Sequence, residues 1–158
     1  MRRMRGMAVN AMSWNQLVEM RQVGMGVGSH TITHPNLAEL GSEAVRTELS
    51  DSKRTLEIHL GEKIDAIVYP FGIRGLHITS QTIALARDSG YKTGASILYR
   101  DVRWHDDALN IPRISVKNNT IRLLRAKIVG SLDILGRWQE YRARGAFPVQ
   151  DDGGTEDR

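Results

Sequence analysis

The stretch Gly28-Ser29-His30-Thr31-Ile32-Thr33-His34-Pro35-Asn36-Leu37 decides how the rest of the chain is read. Nowhere else do two histidines stand so close together. If residues 30 to 34 form a helical turn, the i, i+4 spacing puts both imidazoles on one face, where neutral ring nitrogens can bind one divalent metal. Thr31 and Thr33 bring hydroxyls to the same region. Pro35 lacks a backbone donor and disfavours the helical region for His34, so the pair sits at a bend rather than inside a continuing helix. The plainer alternative is two polar residues on a solvated turn. Met25-Gly26-Val27-Gly28-Ser29, just upstream, reads as a short buried strand. The histidines would then leave its C-terminal end, where α/β folds place their sites.

Outward from this stretch, helix and strand signals alternate in the βα rhythm of a parallel sheet or barrel. Ser13 with Gln16 forms a capping box that opens a helix stopping near Gly24. Ser42 and Glu43 start a second helix with apolar Val45, Leu49, Leu56 and Leu60, ended by Gly61, and Lys53, Arg54 and Glu57 are expected to face solvent. Ile64 to Phe71 reads as a buried strand, Thr79 to Ser89 as a helix closed by Gly90, and Tyr91 to Leu98 as the next strand. Asn110 to Val116 reads as another strand. Thr120 caps a helix with Ile121, Leu124 and Ile128 on one side. A last helix is expected through about Arg142, and the acidic segment from Asp151 to Arg158 is expected to be disordered. There is no internal repeat.

Composition bounds the reading. With 158 residues and 41% hydrophobic content, the chain fits one domain with one core. No stretch approaches the roughly 20 consecutive apolar residues of a membrane span. Met1-Arg2-Arg3-Met4-Arg5-Gly6 lacks the apolar region of a signal peptide, so a soluble chain without export signal is expected. There is no cysteine, which excludes disulfides, a thiolate nucleophile and thiolate-bound zinc; any metal must use histidine and oxygen ligands. A net charge of +4 and a pI near 9.7 raise the question of nucleic acid. The basic residues cluster only weakly, at Arg2, Arg3 and Arg5 and at Arg122, Arg125 and Lys127, without interleaved aromatics. They read as a solvated basic face, and no nucleic-acid partner is expected.

Ser13-Trp14-Asn15-Gln16-Leu17 through Gly24, followed by the histidine stretch, closely resembles the polysaccharide deacetylase family, the NodB-homology or carbohydrate esterase family 4 domain. Its second motif reads His-Ser/Thr-x-x-His-Pro. Tyr69-Pro70-Phe71-Gly72 resembles the third motif, and Ile111-Pro112-Arg113-Ile114-Ser115-Val116 is similar to the Leu-Pro-Arg-Ile-x-Val strand of many bacterial members. The three occur in the family's order. The resemblance implies an α/β fold, a distorted (β/α) barrel that is incomplete here and lacks its opening strand or strands. It also implies N-deacetylation of an N-acetylglucosamine-containing polysaccharide with a divalent metal, usually zinc, that polarises the amide carbonyl and lowers the pKa of its bound water. By the same resemblance His30 and His34 are the two histidine metal ligands, and the Phe71 backbone N–H stabilises the oxyanion. Tyr69, Pro70 and Phe71 would line the substrate groove, although packing of the two aromatic rings against the strand end is the alternative.

Departures from the family pattern carry as much information. The first motif, Thr-Phe-Asp-Asp, supplies the catalytic base and an aspartate ligand, yet the first twelve residues contain no aspartate or glutamate. Val68 stands where stricter members carry an arginine, and the closing Leu-x-His is absent after residue 72. His105 reads as a solvated loop histidine, His77 as a residue beside the groove, and His59 as structural. Two ligands are fewer than the three a catalytic zinc normally keeps, so weak metal binding is expected. The reading is therefore a non-domain segment over 1–12, a partial deacetylase domain over 13–130 and a C-terminal helix with tail over 131–158. On it, the domain is truncated near Met12 and depends on a missing N-terminal segment or partner chain. A non-catalytic carbohydrate-binding remnant of the same fold and a basic nucleic-acid-binding protein stay open as alternatives.

Overall fold

Ser13 opens the first helix through the expected box: its hydroxyl accepts the Gln16 N–H at 3.3 Å, and the Gln16 side chain accepts the Ser13 N–H at 2.9 Å. Helix α1 runs Trp14–Gln22. The computed structural model describes residues 11–98, 100–114 and 120–130, with single positions at 134, 138 and 141. The expected N-terminal segment up to residue 10, Ser115 and Val116 of the expected Asn110–Val116 strand, most of the last expected helix and the acidic tail lie outside the described residues.

Helix α2 spans Ser42–Leu60 and stops where Gly61, at φ 68°, turns the chain left-handed and donates its N–H to the Glu57 carbonyl. Val45, Leu49 and Ser52 are its buried positions, with Leu56 and Leu60 packed against the core edge. Of the three residues expected to face solvent, only Arg54 is exposed. Lys53 is half-buried: its ammonium lies over the Tyr91 ring, 5.1 Å from the centroid, donates to the Ile64 carbonyl and pairs with Glu57 at 2.9 Å.

Strand β1, Ala66–Val68, pairs in parallel with β2, Thr93–Ala95, in the register Ala66 to Thr93 and Val68 to Ala95. Between them α3, Ser80–Asp88, makes the crossover, opened by a reciprocal Thr79–Thr82 box. Single parallel bridges extend the pair on both sides, Ser29 to Ile67 and Ala95 to Ile111. Four successive segments thus run side by side in chain order, although the strands are shorter than the sequence suggests. Ile64, Ile67, Tyr69, Ile78, Ile83, Tyr91 and Leu109 join Leu37, Val45 and Leu49 in one core.

Gly94, in the middle of β2, has the Leu109 carbonyl and the Tyr69 hydroxyl packed where a side chain would stand, the hydroxyl 2.8 Å from an added Cβ. Helix α4, Ile121–Ile128, begins at Thr120 as expected, with the hydroxyl accepting from Leu123 N at 3.3 Å. Its expected apolar stripe is not a core stripe at the start: Ile121 is 85% exposed. The architecture is a mixed α/β fold with the loops after Ser29 and β1 at one end of the parallel strands.

Candidate functional site

The histidine stretch is not a helical turn. Thr31 and His34 have φ of 66° and 57°, in the left-handed region, and these two positions fold residues 30–34 into a bend. The bend places the His30 and His34 rings edge to face, centroids 4.8 Å apart. Its own bonds are few: Thr31 Oγ1 accepts from His34 N at 3.2 Å, and Ser29 Oγ from Thr31 N at 3.4 Å.

The support comes from α2. Glu48 accepts the Ile32 and Thr33 N–H groups at 2.7 and 3.0 Å on one oxygen and the Thr33 hydroxyl at 2.6 Å on the other. Burial raises its pKa, but the bonds from the Thr33 hydroxyl and the two N–H groups outweigh that and hold the carboxyl below its usual range. One turn later, Ser52 Oγ is 2.7 Å from Ser29 Oγ and also donates to the Leu49 carbonyl, within a buried hydroxyl cluster that includes Tyr91.

His30 Nδ1 lies 2.5 Å from the Val68 carbonyl. A carbonyl can only accept, so Nδ1 carries the proton and Nε2 keeps its lone pair. Metal-binding histidines are commonly held in this way, with one ring nitrogen fixed by a backbone carbonyl and the other left to the ion. Val68 thus meets His30 through its backbone carbonyl.

After β1 the chain passes through Tyr69-Pro70-Phe71. Tyr69 and Pro70, expected to line the substrate groove, are fully buried and lie beneath it. The Tyr69 hydroxyl donates to the Leu109 carbonyl at 2.9 Å, and burial pushes its pKa up. Phe71 has φ 57°, which turns its half-exposed ring over His34, centroids 4.8 Å apart. No described residue accepts the Phe71 N–H. Gly72 ties this loop to the chain after β2 by accepting the Ile97 N–H at 2.7 Å.

His77 completes the aromatic row, 5.2 Å from Phe71, and its Nδ1 accepts the Ile73 N–H at 3.3 Å. Burial lowers its pKa, with Glu39 opposing. His59 stacks on Trp14 at 3.7 Å, a structural role, and His105 stays in an exposed loop. That loop is closed by Arg100, which donates twice to Asp106 at 2.7 and 2.6 Å. Sequence reasoning missed Glu48, Ser52 and the Arg100–Asp106 pair. Only the helical phase of Glu48, next to buried Leu49, hinted at the first.

Two imidazoles close together, one with its outer nitrogen fixed by a carbonyl, suit a divalent ion as part of a donor set. Among the described residues no cluster of three histidine or carboxylate groups completes that set.

The fold and site define a mixed α/β scaffold with paired histidines and an aromatic turn at the ends of its parallel segments. Residues 4–94 match the family described as polysaccharide deacetylase. The chain belongs to the polysaccharide deacetylase family. It is 31% identical over 81 residues to YxkH of Bacillus subtilis (strain 168), whose name places it among polysaccharide deacetylases; the match covers 51% of this chain and 28% of that protein. The deacetylase PplD of Streptococcus pyogenes, solved in complex with acetate, superposes with a TM-score of 0.66 at 27% identity, covering 76% of this chain and 52% of that one. BC0361, a polysaccharide deacetylase from Bacillus cereus, shares the fold with a TM-score of 0.61 at 24% identity, over 77% of this chain and 38% of its own. The chain therefore spans about half or less of the length of these relatives.

Proposed function

We propose that the chain contributes the histidine half of a metal-dependent N-deacetylase site acting on an N-acetylglucosamine-containing polysaccharide. The observation that carries this reading is the meeting of His30, His34 and Phe71 at the ends of adjacent parallel segments. The chain-order succession of Ser29, β1, β2 and Ile111 supports placing it as an arc of a distorted (β/α) barrel.

In this reading His30 Nε2 and a ring nitrogen of His34 hold a divalent metal, zinc by its preference for imidazole and oxygen ligands. When bound, the metal supplies Lewis acidity toward the acetamide carbonyl and acidifies a water. The Val68 carbonyl fixes the His30 tautomer. The Phe71 N–H is the donor for the developing oxyanion, and its ring offers an apolar face to a sugar. The catalytic base and the carboxylate ligand have no counterpart among residues 1–12 of the sequence. Two imidazoles alone bind zinc weakly, and this chain by itself is expected to release essentially no acetate.

Zinc titration of the full chain tests the site. Binding should disappear in His30→Ala and in His34→Ala. Acetate release from N-acetylglucosamine oligomers should stay at background, and robust turnover would refute the need for added carboxylates. Heparin retention with a steep salt dependence, joined to zinc indifference, would replace this reading with nucleic-acid binding.

A further inference from the structure

The loop that carries both histidines has almost no structure of its own, with two left-handed residues among the five from His30 to His34 and no helical or ladder bond inside it. Each left-handed non-glycine residue costs about 1–2 kcal/mol, so something outside the loop must hold the bend. Besides the Val68 carbonyl on His30 and the Phe71 ring on His34, the outside contacts converge on one face of α2. Glu48 takes three donors from Ile32 and Thr33 on the far side of His30, and Ser52, four residues on, takes Ser29 on the near side. That face does not move freely, because Val45, Leu49 and Ser52 are buried.

We infer that Glu48 is the positioning residue of the histidine pair: it grips Ile32 and Thr33 so that the His30 and His34 rings stand within reach of one metal ion. The metal part rests on the proposed site; the ring geometry does not. A carboxylate suits the task because its two oxygens take three donors at once, two N–H groups and a hydroxyl, where a neutral side chain has one acceptor oxygen. Bonds to a charged acceptor are stronger than neutral ones, enough to offset the strain at Thr31 and His34. Ser52 sets the near end of the loop, and Glu48 sets its curvature.

The test uses the full chain with two readouts. The first is Co²⁺ affinity with its visible absorption spectrum. The second, free of metal, is the nuclear Overhauser contact between the His30 and His34 rings in the apo protein. Glu48→Ala should weaken Co²⁺ binding by about 10- to 100-fold, alter the absorption envelope and abolish the ring contact. Glu48→Gln, which still accepts the two N–H groups, should retain the ring contact and lose about threefold in affinity, between the limits set by wild type and alanine. A residue that merely supports α2 would shift the urea midpoint and leave spectrum and ring contact unchanged. An intact contact in Glu48→Ala overturns the proposal. Absence of Co²⁺ binding in the wild type, with the contact still lost in Glu48→Ala, would sink the metal reading while upholding Glu48 as the positioning residue.

Discussion

Replacing Gly94 with alanine puts a methyl group where β2 has no room. The new Cβ would overlap the Leu109 carbonyl oxygen, come within 2.9 Å of the Leu109 carbonyl carbon and stand 2.8 Å from the Tyr69 hydroxyl. Those two oxygens are already joined by a 2.9 Å hydrogen bond in the core, and Gly94 itself accepts the Ile111 N–H at 2.7 Å. The two Leu109 atoms are backbone and the Tyr69 ring is locked in the core, so relief requires backbone movement. Separating the Tyr69–Leu109 pair leaves buried polar groups unsatisfied at a cost of about 1–3 kcal/mol. Overpacking adds a further 1–3 kcal/mol or so. The smaller unfolded-state entropy of alanine returns about 0.5 kcal/mol. The net expectation is a loss of about 3 kcal/mol, read as a fall of about 1.5 M in the urea midpoint if m is about 2 kcal/mol per molar. Gly26→Ala is the control, since nothing lies within 4 Å of a Cβ there. In a Tyr69→Phe background one of the two opposing oxygens is gone, so the Gly94→Ala penalty should shrink by about 1 kcal/mol. A Gly94→Ala midpoint indistinguishable from that of Gly26→Ala would refute the argument.

Two further outcomes follow from the same kind of reasoning. The Arg100 guanidinium beside Asp106, with the Arg103 N–H helping, holds the carboxyl down at about 2 against an ordinary 3.8. A depressed folded-state pKa gives stability that is present above pH 4 and lost as the pH falls toward 2. Urea midpoints across this window should drop in the wild type by the equivalent of about 1–2 kcal/mol, and the drop should flatten in Asp106→Asn; equal slopes would refute it. Phe71→Ala and Phe71→Gly both delete a half-exposed ring, but only glycine accepts φ of 57° without strain. Phe71→Gly should therefore be the more stable by about 1 kcal/mol in urea unfolding, and identical midpoints would show that the turn carries no strain.

What could be read from the chain depended on the range of the interaction that fixed it. The Ser13–Gln16 box, the Thr120 cap and the stop at Gly61 depend on neighbours within four residues, and each stands where the sequence puts it. The strands depend on partners elsewhere. Ile64 to Phe71 shortens to Ala66–Val68 because pairing lasts only as long as the neighbouring segment stays in register, and a sequence run cannot show that. The histidine pair was visible, and the helical turn considered for it was wrong, because the bend is dictated by Glu48, 15 and 16 residues away from Thr33 and Ile32. Lys53 misled for a related reason. Its charge reads as solvent-facing, whereas the Tyr91 ring and the Ile64 carbonyl hold its ammonium against the core edge. Tyr69 and Pro70 matched a motif whose most visible positions were expected to face substrate. Their burial assigns them to the floor, and only Phe71 reaches the surface.

No side chain of helix α1 is fully buried, Leu17 and Val18 are half-buried, and the helix is fastened at its ends by the Trp14 ring lying flat on His59 and by Arg21 pairing with Glu62. An element attached in this way can lift off without exposing much apolar surface, so its opening belongs to the least protected tier of local fluctuations. Its amides would exchange early, at a rate tuned by ionic strength through the Arg21–Glu62 pair more than by denaturant, which acts in proportion to newly exposed surface. Trp14 loses its His59 stack in this event while the core behind α1 stays folded.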